Sequence, residues 1–81
     1  MGQGERVAPS IDQALDRLAR DFPGHAADFG AEPGDTFEAV IWETVFPFHV
    51  VAASTGHETD GAALAAALDT LATRRAAEAL S

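Results

Sequence analysis

The chain has 81 residues, with thirteen Asp and Glu, five Arg, three His, no Cys and a net charge of -8. This length holds one small domain, so residues 1–81 are expected to fold as a single unit. The absence of cysteine excludes a disulfide scaffold, a thiolate metal site and thiol catalysis. The balance of 47% hydrophobic and 22% charged residues is typical of a folded chain rather than a disordered one.

The first predicted helix begins after Ser10, which is a favoured N-cap residue with a capping-box Gln13 three positions later. Pro23-Gly24 ends it, since proline and glycine rarely continue a helix. Residues 1–9 are expected to form a flexible amino-terminal arm. The apolar residues of this helix recur at helical spacing and share one face, namely Ile11, Ala14, Leu15, Leu18, Ala19 and Phe22.

The centre of the chain predicts three strands, at residues 25–29, 36–46 and 48–54, because it is rich in β-branched and aromatic residues. Pro33-Gly34 suits the middle of the turn between the first two strands. Side chains alternate between the two faces of a strand. The alternation in residues 36–46 assigns one face to the core, with Phe37, Ala39, Ile41 and Val45.

A second helix is predicted from Thr59 or Asp60, which are good caps, to a carboxyl end near Arg74 and Arg75. Its apolar stripe can cover a sheet and consists of Leu64, Ala67, Leu68, Leu71 and Ala72. The element order is therefore α-β-β-β-α. This order predicts an α+β two-layer sandwich, in which a three-stranded antiparallel sheet carries two helices on one face.

The longest uncharged apolar stretch, residues 44–56, is too short to span a bilayer. The first residues lack the basic and then apolar pattern of a signal peptide. The protein is therefore expected to be cytoplasmic, with no membrane partner.

Negative charge is concentrated in the middle of the chain. Residues 21–73 contain nine Asp and Glu and no Arg or Lys. Part of the folded surface should therefore have a strongly negative potential, which repels nucleic acid and attracts basic proteins. Direct binding to nucleic acid is not expected, because too few cations are present to neutralise phosphates.

The three histidines do not predict a catalytic centre. His57, Glu58 and Asp60 could contribute metal ligands, but the zinc-protease pattern requires a second His where this chain has Gly61. A helix-capping loop is the favoured interpretation of this segment. His25 and His49 have no nucleophile placed beside them by a recognisable motif. We expect no enzyme, no metal and no cofactor, and a small metal-dependent enzyme using His57 remains an alternative.

The small size, acidity and lack of cysteine resemble those of phage-encoded inhibitors such as anti-CRISPR proteins, and of DNA-mimic proteins. This resemblance covers size and charge and no motif. It implies a non-enzymatic inhibitor that occupies a basic nucleic-acid-binding surface of a target protein. The carboxylates that would stand in for phosphates are Asp28, Glu32, Asp35, Glu38, Glu43, Glu58, Asp60 and Asp69.

The large residues Trp42, Phe46 and Phe48 lie near a proline and allow two interpretations. They either complete the core or form an exposed anchor for a partner, since exposed aromatic residues are typical of interfaces. Trp42 is therefore included among the predicted partner-binding residues. The second interpretation supports the alternative of a homodimer or a partner protein of the toxin–antitoxin type.

Overall fold

The computed structural model describes residues 9–80, and most of the predicted amino-terminal arm lies outside them. The element order is α1 (Ile11–Asp21), β1 (His25–Glu32), β2 (Thr36–Glu43), β3 (Val50–His57) and α2 (Asp60–Leu80). This confirms the predicted α+β fold with the order α-β-β-β-α. No helix within the described range has the length and apolar character needed to cross a membrane.

The sheet has the order β1-β2-β3, and both neighbouring pairs are antiparallel. Its central strand supplies Ala39 and Ile41, which are fully buried in the core beneath α2. Polar contacts join α2 to the sheet and to α1. The Ser54 hydroxyl donates to the Ala63 carbonyl at 2.6 Å, and Arg17 pairs with Asp69 at 2.8 Å between Nη1 and Oδ1. The core therefore lies between the sheet and the helical layer.

Helix α1 begins and ends where the sequence predicts. The Ser10 hydroxyl accepts from the Gln13 N–H at 3.1 Å, and the Ser10 N–H donates to the Gln13 side chain at 3.0 Å. These two reciprocal hydrogen bonds satisfy two backbone N–H groups at the start of the helix that have no acceptor within it. Ala14 and Leu18 are buried against α2, whereas Leu15 remains exposed.

The strand boundaries differ from the prediction. β1 extends to Glu32, β2 stops at Glu43, and β3 begins at Val50. Residues 44–49 form a loop, which we call the aromatic loop. The Phe48 N–H donates to the Val45 carbonyl at 2.8 Å across a tight turn containing a cis Phe46-Pro47 peptide bond, and Phe48 has φ +61°.

Val45 is 69% exposed in this loop, so its predicted place in the core was wrong. Strand alternation reaches only as far as the strand itself. Once the chain leaves the ladder after Glu43, the two-residue period no longer determines which side chains face the helices.

Helix α2 is capped by Thr59, whose hydroxyl accepts from the Ala62 N–H at 3.0 Å. Leu64, Ala67, Leu68 and Leu71 are buried, as the apolar stripe predicts. The helix runs past the predicted end near Arg74 and Arg75 and continues to Leu80. Alanine and leucine dominate these last residues, and both are strong helix formers that need no tertiary contact to favour a helix.

Candidate protein-binding surfaces

One face of the sheet is turned away from the helices, and we call it the open face. Opposed residues of antiparallel strands project to the same side of a sheet. Because Ala39 and Ile41 point into the core, their neighbours in the strand point the other way. The register places on the open face Ala26, Asp28, Gly30 and Glu32 of β1, opposite Trp42, Val40, Glu38 and Thr36 of β2.

The carboxylates of Asp28 and Glu38 are exposed on this face. They line a shallow depression of about 230 Å³ together with Phe29, Gly30 and Val40. Neither carboxylate takes part in an ion pair within residues 9–80. Both are therefore available to a cationic group from another molecule.

Glu32 has a structural role on the same face. Its Oε1 accepts from the Gly56 N–H of β3 at 3.1 Å and from the Thr36 hydroxyl at 3.4 Å. The first bond crosses from one edge strand to the other. The Gly56 N–H is accessible because the β2–β3 register shifts between the Phe37 and Ala39 pairs. Glu32 therefore stabilises the end of the sheet and is only half-exposed.

The same end of the sheet carries three more of the predicted acids. Asp35 lies exposed in the loop between β1 and β2, and Glu58 follows the last residue of β3. Asp60 is the first residue of α2, and its Oδ1 accepts from the Gly61 N–H at 2.7 Å. Within the described part of the chain, no three His, Asp or Glu side chains are grouped to hold a metal ion.

Glu43 lies apart from the other acids. It pairs in register with His25 at the opposite end of the sheet, on the face toward the helices. Its Oε1 is 3.9 Å from the His49 Nδ1, and it lines a cleft of about 340 Å³ with Arg74 and Arg75. The neighbouring arginines distinguish its surroundings from those of Asp28 and Glu38.

Arg75, which lines this cleft, also contacts a histidine of β1, and the sequence did not predict this contact. Arg75 Nη2 lies 3.0 Å from His25 Nε2, and His25 Nδ1 lies 3.2 Å from the Pro23 carbonyl oxygen. The Arg75 guanidinium can only donate a hydrogen bond, so His25 Nε2 accepts it. The proton of neutral His25 therefore lies on Nδ1, which donates to the Pro23 carbonyl oxygen. Arg74 donates to the Val51 carbonyl at 2.6 Å. Both arginines are thus engaged within the fold.

Charge is divided unequally between the two layers. The helices carry six carboxylates and four arginines, a net of -2, and the sheet with its connecting segments carries six carboxylates and no arginine or lysine. The arginines lie among helical carboxylates. Arg17 and Arg20 contact Asp21, and Arg75 contacts Glu78 at 3.5 Å. Within residues 9–80, three quarters of the net negative charge therefore belongs to the sheet and its connections.

The aromatic residues near Pro47 form an exposed patch. Phe46 and Phe48 are 80% and 54% exposed, and their rings meet edge to face with centroids 5.8 Å apart. Val45 and Val50, at 69% and 63%, extend the surface, and we call these four residues the apolar patch. The alternative that Phe46 and Phe48 complete the core is therefore wrong. Trp42 is half-buried on the open face, opposite Ala26 and Val50.

Comparisons with protein-family models, with curated proteins and with solved structures found no match to this chain.

Proposed function

We propose that this protein is a non-enzymatic binding module that inhibits a cytoplasmic nucleic-acid-binding protein by occupying its basic surface. The observation that carries the proposal is the charge division between the layers. The sheet and its connections contain six carboxylates and no arginine or lysine. The described arginines belong to the helices, where three of them pair with helical carboxylates, and Arg74 and Arg75 also contact Val51 and His25 of the sheet. An anti-CRISPR or DNA-mimic inhibitor of phage origin would act in this way.

The open face supplies the negative side of such a contact. Asp28 and Glu38 present free carboxylates to a target whose Lys and Arg would otherwise contact phosphates. Complementary potentials of this kind accelerate association and select the partner more than they raise affinity. Glu32 supports the contact indirectly, because it ties β1 to β3 and keeps the sheet end in place.

Trp42 and Val40 give the open face an apolar part beside its acidic part. Both are half-buried and project to the same side as Asp28 and Glu38. A large aromatic residue with a polar rim is a frequent centre of binding energy in protein interfaces. We therefore assign Trp42 the role of anchor and the carboxylates the role of orienting groups.

The proposal predicts capture of nucleic-acid-binding proteins from an extract of the native host. The immobilised protein should retain them at about 0.05 M salt and release them at about 0.5 M, because screening shortens the range of surface charge interactions. Duplex DNA or RNA added to the extract should compete for the same proteins.

Two variants with equal charge changes make this test specific. Asp28→Asn with Glu38→Gln should lower capture at least tenfold, and Asp12→Asn with Asp16→Asn on helix α1 should leave it nearly unchanged. Each pair removes two exposed carboxylates that form no ion pair within residues 9–80. Equal losses in the two variants, or capture that does not respond to salt and nucleic acid, would refute the proposal.

A further inference from the structure

The apolar patch contains four of the large hydrophobic side chains that are exposed in residues 9–80, and only Val50, which lies opposite Trp42, adjoins the open face. Val45, Phe46 and Phe48 lie in the aromatic loop, and Val50 begins β3, which has β2 on one side and no strand of the described residues on the other. We propose that the protein associates with a second copy of itself through this patch, forming a symmetric homodimer independently of the function proposed above.

Charge favours a second copy at this place. Residues 44–57 contain no Asp, Glu, Arg or Lys, although the whole chain carries -8. Two such chains repel each other wherever carboxylates face each other, and like charges in contact cost several kcal/mol in an interface. The carboxylates that contact this stretch, Glu43 at His49 and Glu32 at Gly56, lie at its two ends, so two copies can meet between them without placing acids directly against each other.

The exposed area of the patch is close to what a small dimer interface requires. A Phe side chain buries about 150–250 Å², so exposures of 80% and 54% leave about 200–330 Å² on the two phenylalanines of one copy. Two copies double this area, and Val45, Val50 and the adjoining backbone add more. The total approaches the ~1,000 Å² that separates specific interfaces from incidental contacts.

A two-fold axis through the patch is the simplest arrangement. In a two-fold interface the same residues contribute from both copies, so an apolar surface meets an apolar surface. Phe46 and Phe48 already form an edge-to-face pair, and the exposed sides of their rings can form the same contact with the other copy. The β2–β3 register shifts limit regular pairing in β3, so the aromatic loop supplies most of the contact.

Sedimentation equilibrium over about 1–100 μM protein, a range that brackets weak to moderate dimers, tests the inference. The wild type should show a monomer–dimer equilibrium. Phe46→Gln with Phe48→Asn should raise the dimer dissociation constant at least tenfold; Asn tolerates the positive φ of Phe48. Leu15→Gln, which removes an exposed apolar side chain from α1, should leave the dissociation constant unchanged.

A second measurement locates the interface. His49 is exposed beside the patch, and the natural chain has no cysteine, so His49→Cys carries one spin label per copy. A dimer through the patch gives one short interlabel distance, which Phe46→Gln with Phe48→Asn abolishes. A monomer at every concentration, a dimer that survives the patch substitutions, or long interlabel distances would each overturn the inference. Salt-sensitive capture by the open face should persist in the patch variant, which separates the two proposals.

Discussion

At Gly61 the start of α2 passes close to the chain that enters α1. A methyl group there would overlap the Pro9 carbonyl oxygen, and it would lie 2.7 Å from the Ser10 carbonyl carbon and 2.8 Å from the Ile11 nitrogen. These are backbone atoms whose displacement would disturb the capping box of α1. The two helices can therefore meet in this way only with glycine at this position.

We expect Gly61→Ala to lower the free energy of unfolding by about 1–3 kcal/mol, because overpacking against backbone outweighs the gain in helix propensity. Urea denaturation measures this difference. Gly30→Ala on β1 is the matched control, since its added methyl group meets no atom of residues 9–80 within 4 Å. A Gly61→Ala variant as stable as the wild type would contradict the close approach.

Among the elements, α2 is divided into a packed part and a part that leaves the core. Its buried residues end at Leu71, although the helix continues to Leu80. Side-chain bonds from Arg74 and Arg75 to Val51 and His25 connect the later part to the sheet. Burial of an apolar face supplies most of the stability of a helix in a protein. The part of α2 up to Leu71 should therefore be more stable than the part after it.

Hydrogen exchange of backbone amides should therefore fall into two groups along α2. We expect strong protection through Leu71 and weak protection near Leu80, because local opening requires less free energy where few apolar contacts are broken. Mass spectrometry or NMR measures the two groups. Uniform protection along the whole helix would show that the later turns are stabilised by contacts other than those described.

How well each element could be predicted depends on how local its determinants are. Ser10, Gln13 and Pro23-Gly24 predict the ends of α1 because capping and helix breaking involve neighbours in sequence. Strand propensity, in contrast, predicted that β2 continues to Phe46, whereas the strand ends at Glu43. The loop forms there because the chain pairs Glu43 with the His49 backbone and Thr44 with Gly24, contacts that propensity does not encode.

How well the surfaces could be predicted also depends on whether their determinants are close together in sequence. Alternation together with a hairpin centred on Pro33-Gly34 places Asp28 and Glu38 on one face, so this part of the acidic surface follows from the sequence. The contact between His25 and Arg75 joins residues 50 positions apart and depends on how α2 crosses the sheet. Local patterns do not specify that crossing, and the cleft at Glu43 was therefore not anticipated.

At the scale of the whole molecule, the acidic layer should weaken the fold that carries it. The six carboxylates of the sheet and its connections form no ion pair with an arginine within residues 9–80, so they repel one another, and Glu43 takes the smallest part because it lines a cleft with Arg74 and Arg75. Screening by salt reduces this repulsion. The acidic surface therefore lowers the stability of the unbound protein.

The melting temperature should accordingly rise with sodium chloride up to about 0.5 M, where the screening length is only a few ångströms. Asp28→Asn with Glu38→Gln should raise it at low salt and reduce the salt response, as calorimetry can measure. The α1 pair Asp12→Asn with Asp16→Asn is the control and should change the salt response less. A melting temperature that falls with salt would argue against repulsion within the sheet layer.

Unequal charge on opposite layers also makes the molecule an electric dipole. In the field of a cationic surface such a molecule turns its sheet toward that surface before contact, so many encounters begin in one orientation. An amine-coated support would orient the protein in this way. The support would then cover the open face, which a binding assay needs to leave accessible. Binding assays should therefore tether the chain through the exposed end of α2, near Leu80.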